Sequence, residues 1–139
     1  MPSIILQLSS RLLCPILTFL AIFFLYRGHN EPGGGFIGGL ILSSSLIFKV
    51  LAYSASEVRE RLWGEPRQFL MLGLSCALGA GLLPLTVGKA FLQSLWLPTF
   101  ELPLLGAVHL GTPLIFDIGV FLIVIGFVLT VILDLQEAK

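Results

Sequence analysis

The sequence predicts an all-α integral membrane protein: one domain over residues 1–139, with four transmembrane helices and both the N- and C-termini cytoplasmic. Three observations point there. Only 12% of the residues are charged against 56% hydrophobic, and the mean hydropathy is +1.00. A soluble domain this small exposes most of its residues and carries roughly twice that charge. The apolar residues also gather into blocks that rival the hydrocarbon core of about 30 Å. Helices are expected near residues 5–26, 36–53, 69–91 and 113–133.

The first helix has Arg11 close to its start. The unbroken apolar run that follows it, residues 12–26, would rise only about 22 Å. Arg11 therefore lies in the membrane boundary, and snorkelling to the headgroups is the simplest reading. A basic flank before an apolar core also resembles a signal peptide. No small-x-small cleavage site follows, so the segment reads as a retained helix. The second helix carries Lys49 about one turn from its end. A polar loop, residues 54–68, holds Glu57, Arg59, Glu60, Arg61, Glu65 and Arg67.

In the third helix, Gly73, Ala77 and Gly81 recur every four residues, a small-residue stripe that admits another helix closely. Pro84 is expected to interrupt it. Residues 92–112, with Trp96, Pro98 and Pro103, read as an interfacial or partly re-entrant loop, apolar yet too broken to span. Thr112 is a candidate cap for the fourth helix, with Pro113 at its first position. Asp134, Glu137 and Lys139 end the chain in water.

Four spans place both termini on the side of the second loop. That side holds Arg11, Lys49, Arg59, Arg61, Arg67 and Lys139, and the other holds Arg27 and Lys89. The bias in basic residues makes the richer side cytoplasmic.

The most unusual stretch is residues 28–39, Gly-His-Asn-Glu-Pro-Gly-Gly-Gly-Phe-Ile-Gly-Gly. Pro32 fixes its own backbone and restricts Glu31, while Gly33, Gly34 and Gly35 open conformations closed to other residues. Bare backbone at membrane depth persists only against protein or water. The stretch is thus a hinge buried against a partner or lining a hydrated cavity, or a tight turn followed by close packing. In the second case the packing surfaces are Gly34-x-x-x-Gly38 and Gly35-x-x-x-Gly39. His29 titrates near neutral pH and Glu31 lies two residues away. Asp117, about one turn into the fourth helix, is either a favourable charge at a helix N-terminus or a proton- or cation-binding carboxylate. Lys49 is the remaining ionisable candidate for an ion path, with snorkelling as its alternative.

Other classes are disfavoured. Eight basic and eight acidic residues cancel, leaving no basic stripe for nucleic acid. Cys14 and Cys76 form no CxxC pair and read as free, buried thiols. His29 and His109 lack metal-site spacing, and the Walker, dinucleotide and nucleophile-elbow motifs are absent. The reading is of a non-enzyme without metal or cofactor.

With these residues in place, the chain resembles the B subunit of the Mrp-type, or Mnh-type, multisubunit sodium/proton antiporters. The likeness rests on Gly28-His29-Asn30-x-Pro32-Gly33-Gly34-Gly35-Phe36-Ile37-Gly38-Gly39. It rests also on residues 111–120, Gly-Thr-Pro-Leu-Ile-Phe-Asp-Ile-Gly-Val, and extends over nearly the whole chain. The resemblance implies a subunit of a cell-membrane complex that exchanges Na+ for H+. It implies as partners the large antiporter-like subunits and other small membrane subunits, with the lipid bilayer around them. Related subunits occur in membrane-bound hydrogenases. The motif positions carried over are His29, Pro32, Gly33, Gly34, Gly35, Phe36, Gly38, Gly39 and Asp117. Two expectations follow: a subunit contributing to assembly and to the cation-translocation region, or a purely structural assembly subunit. An independent transporter is disfavoured, because four helices without an internal repeat give little material for alternating access.

Overall fold

Four helices follow the apolar blocks: α1 (Ile4–Arg27), α2 (Gly34–Ala52), α4 (Pro66–Thr86) and α5 (Thr112–Glu137). All four are long and apolar enough to cross a membrane. At 1.5 Å per residue they run about 36, 28, 31 and 39 Å, close to or beyond the hydrocarbon thickness. A short helix, α3 (Ala55–Arg61), lies between α2 and α4. A two-stranded antiparallel hairpin, β1 (Phe100–Leu102) and β2 (Gly106–Val108), lies between α4 and α5. The structure is a computed structural model and describes residues 3–27, 34–62, 64–96, 98, 100–102, 106–108 and 111–138.

Several element ends depart from the sequence reading, each for a local reason. The second helix starts at Gly34 rather than at residue 36, so the glycines expected in a hinge are helical from Gly34 onward. The polar loop contains α3, whose Ser54 accepts a hydrogen bond from the Glu57 amide at 3.2 Å. Helix α4 passes through Pro84 and ends at Thr86, not at residue 91. Gly88 there adopts φ +77°, and the amides of Gly88 and Lys89 bond back to the carbonyls of Leu85 and Pro84. That pair of bonds is the usual left-handed close of a helix.

The start of α5 also differs. Gly111 holds the cap position, and Thr112 is already helical. The Thr112 hydroxyl instead accepts from the Leu95 amide at 3.0 Å, while its own amide donates to the Leu95 carbonyl. These bonds tie the segment after α4 to the start of α5. The other end of α5 outruns the apolar block by one turn. Arg59 on α3 draws it out, with Glu137 at 2.9 Å and Asp134 at 3.6 Å, and it also reaches Glu65 at 2.7 Å. Glu137 foremost, and then Glu65, hold the Arg59 guanidinium above its ordinary pKa.

The long helices touch in the order α1, α2, α5, α4. Among the described residues, the backbone of α4 approaches neither α1 nor α2, so the helices form a row rather than a closed bundle. Helix α2 runs antiparallel to α1 and parallel to α5. The contacts show this: Gly38 meets Ala21 and Leu25, and Ser45 meets Cys14, whereas Gly35 meets Asp117 and Gly39 meets Val124. Residues beside the N-terminus, Lys49, α3 and the end of α5 therefore share one end of the row.

Glycine sets the spacing. A Cβ on Gly38 would come within 2.8 Å of the Ala21 carbonyl, and one on Gly39 within 2.8 Å of Val124. Adjacent residues are about 100° apart around a helix. The two overlapping glycine pairs thus give α2 one bare face for each neighbour. The row closes on α4 in the same way, with Gly73 and Ala77 against Gly119, and Gly126 against Pro66 and Leu70. Gly81, the third member of the expected stripe, faces Phe91 and Leu92 of the returning segment instead of a helix. Both cysteines are free thiols. Cys14 is buried and exchanges hydrogen bonds with Ser45 across the α1–α2 contact.

A compact apolar cluster of Val50, Val58, Ile125, Leu129 and Leu133 joins α2, α3 and α5. Elsewhere large apolar side chains stand open, Ile5, Phe19, Met71 and Phe127 at 61–76% exposure. Lipid or neighbouring protein must meet them.

Two glycines of α4 make the packing testable. Any side chain on Gly73 would sit 2.6 Å from the Gly119 carbonyl, whereas Gly79 has nothing within 4 Å. Gly73→Ala is expected to lower the thermal midpoint of the detergent-solubilised protein. Gly79→Ala should leave it unchanged or raise stability by about 0.5–1 kcal/mol through helix propensity. Equal behaviour of the two variants would contradict this packing.

Candidate functional site

The glycine stretch and the carboxylate singled out in the sequence meet in space. Gly34 and Gly35 open α2 and are buried. The bare Cα of Gly35 lies against the backbone of Asp117, closest to its carbonyl oxygen. Asp117 occupies the second turn of α5 and is half-buried. Because α2 and α5 are parallel, their N-terminal ends lie together, and both helix dipoles present their positive ends on this side. Arg27 closes the antiparallel α1 at the same end. Asp117, Arg27 and Tyr26 all have interaction partners.

The local sequence explains the arrangement. A Cβ at position 35 would overlap the Asp117 carbonyl, so only glycine lets the helices close at this level. One turn on, Gly39 meets Phe121 and Val124 and keeps the same spacing. Phe36 and Ile37 point elsewhere and are exposed. The motif therefore alternates glycines that touch neighbouring helices with apolar side chains that face outward.

The remaining candidates divide. His29, Glu31, Pro32 and Gly33 lie outside the described residues. Gly34, Gly35, Gly38 and Gly39 are buried in helix contacts, and Phe36 is not. Lys49 lies 14 residues beyond Gly35 on α2, about 21 Å along the helix axis. It belongs to the opposite end of the row and shares no local site with Asp117.

One polar group escaped the sequence reading. Ser43, one turn beyond Gly39, is 2% exposed, and its hydroxyl has no hydrogen-bond partner among the described residues. A buried unpaired hydroxyl costs about 1–3 kcal/mol, which makes it unusual in a packed core. The signal was present as Ser43-Ser44-Ser45 inside an apolar helix. Ser44 spends its hydroxyl on the Leu40 carbonyl and Ser45 on Cys14, leaving Ser43 as the exception.

Comparison with known proteins covers almost the whole chain. A sequence family described as a domain related to the MnhB subunit of Na+/H+ antiporter matches residues 5–130. A protein named as antiporter subunit mnhB2 from Staphylococcus aureus strain Newman is 37% identical over 136 residues, spanning 98% of this chain and 96% of the relative. The mnhB2 protein of strain JH1 gives the same figures. Among solved structures, a chain of the Mrp complex from Dietzia sp. DQ12-45-1b superposes with TM-score 0.79 at 33% identity. The match covers 96% of this chain but 14% of that longer one.

The Gly35 contact yields a paired test. Gly35→Ala is expected to separate α2 from α5 and reduce the folded protein recovered on size exclusion. Phe36→Ala removes a side chain that is 53% exposed and should be recovered at wild-type level. Normal recovery of both would show that the helices do not close at Gly35.

Proposed function

Since the chain belongs to the family of domains related to the MnhB subunit of Na+/H+ antiporters, we propose that it is a small membrane subunit of a multisubunit antiporter exchanging Na+ for H+. Its partners in this reading are the large antiporter-like subunits and other small membrane subunits. The complex lies in the cytoplasmic membrane. Both termini face the cytoplasm, because the end of the row that carries them also carries Arg11, Lys49, Arg59, Arg61 and Arg67.

The observation that supports a place beside the ion route is the meeting of Gly35 with Asp117. A carboxylate half-buried in a span is costly unless it serves a partner or a pathway. Here it sits where the N-termini of two parallel helices converge, at the end that also receives His29 and Glu31 along the chain. In this reading Asp117 takes up or passes the cation, His29 and Glu31 are further candidates from the chain segment between α1 and α2, and Ser43 offers a polar step further along the α2–α5 contact. Lys49 serves the opposite boundary.

A second reading, a purely structural subunit of an antiporter or membrane-bound hydrogenase, draws on the same glycines. Their contacts are with backbone and with apolar side chains of Phe121 and Val124, which is what packing alone would require. The two readings part at Asp117. Asp117→Asn keeps the backbone that Gly35 touches. It is expected to lower Na+/H+ exchange in everted vesicles at least about tenfold, the factor carried by 1.4 kcal/mol. Native gels should show the complex intact. Full exchange by an assembled Asp117→Asn complex would leave the structural reading standing alone.

A further inference from the structure

The other end of the row holds a cleft remote from Asp117. A cavity of about 420 Å³ opens between α1, α2 and α3. Three cations, Arg11, Lys49 and Arg61, line it against one carboxylate, Glu57, a net formal charge of +2. The ion pairs of Arg59 lie outside this cleft, and among the described residues none is recorded between Arg11, Lys49 or Arg61 and a carboxylate. Tyr53 stands between two of the cations. The Arg11 guanidinium, with the Ser10 hydroxyl, holds the Tyr53 hydroxyl below the ordinary phenol pKa. The Arg61 guanidinium lies over the Tyr53 ring at 5.8 Å. One aromatic side chain thus orients two guanidinium groups at the mouth, with Lys49 one helical turn away on the same side of α2. The floor is apolar, formed by Pro15, Leu46, Val58 and Leu62.

We propose that this cleft binds the phosphate headgroup of an anionic phospholipid, its glycerol and first acyl carbons resting on the apolar floor. Depth decides for lipid over a soluble anion. Arg11 lies two turns into α1, Lys49 one turn from the end of α2, and α3 follows at the boundary. That level is where headgroup phosphates lie, and basic residues near such a surface attract anionic lipid. Guanidinium groups match phosphate oxygens in pairs. Uncompensated cations over an apolar floor suit an anion carrying a hydrocarbon tail. They do not suit a sodium ion.

The test uses the full chain purified with its membrane partners in nanodiscs containing a photoactivatable phosphatidylglycerol. Labelled peptides are mapped by mass spectrometry. Labelling is expected on residues 10–15 and 46–62. Excess phosphatidylglycerol should suppress it, and phosphatidylcholine or millimolar inorganic phosphate should not. The double variant Arg11→Gln/Arg61→Gln should reduce it about tenfold or more, and Arg67→Gln, outside the cleft, should leave it unchanged. Should the double variant not assemble, competition on the wild-type protein decides alone. Equal suppression by phosphatidylcholine, or undiminished labelling in an assembled double variant, overturns the proposal. Displacement by inorganic phosphate overturns it in favour of a soluble anion. Absent lipid label with carbodiimide coupling of Lys49 to a neighbouring subunit's carboxylate overturns it in favour of an acidic protein segment. Lipid labelling is read without transport, so its failure is distinct from failure of the antiport reading.

Discussion

The approach of α2 to α5 through Gly35 and Gly39 sets the spacing on which the rest of the row depends. Gly35 faces the Asp117 backbone and Gly39 faces Phe121 and Val124, so the two helices meet with almost nothing between them. That closeness comes at a local cost. Gly34, Gly35, Gly38 and Gly39 each weaken a helix by roughly 0.5–1 kcal/mol relative to alanine. In a bilayer, helix association draws on van der Waals contact rather than on expulsion of water, so close backbone approach is what offsets the loss. The second glycine pair then lets α1 close on the other side, through Gly38 against Ala21. Helix α5 repeats the device toward α4 with Gly119 and Gly126.

A row built this way differs from a bundle in what it leaves uncovered. The inner helices still expose Phe36 and Leu40 on α2 and Phe116 and Phe127 on α5. At the α3 end the row thickens, where Val58 enters the cluster of Val50, Ile125 and Leu129 and Arg59 gathers three carboxylates. The two ends are consequently unlike. One brings a glycine-bared helix start against a carboxylate, and the other presents cations and an aromatic ring at the membrane boundary. A subunit of a larger membrane assembly is consistent with both the open faces and this polarity.

The spans were legible because apolar blocks of bilayer length are the strongest signal a sequence carries. Their ends were less so. The glycine run read as non-helical because propensity is counted one residue at a time, whereas Gly34 and Gly35 are kept helical by neighbours distant in sequence. Helix α3 was announced by Ser54 three residues before Glu57, a capping pattern hidden within a charged loop. Gly88 marked the end of α4 more surely than Pro84, which a last helical turn accommodates. The order α1, α2, α5, α4 could not be read, since a small-residue stripe announces close approach without naming the partner. Asp117 and the glycines were both singled out, yet nothing in either motif says that they touch. Lys49 could have been set apart by helix rise alone.

A density map of the assembled membrane complex, resolved well enough to trace side chains, tests the central contact most directly. The expected result is Gly35 Cα in van der Waals contact with the Asp117 carbonyl, and α5 lying between α2 and α4. Another subunit's helix or a lipid chain separating α2 from α5 at that level would contradict it.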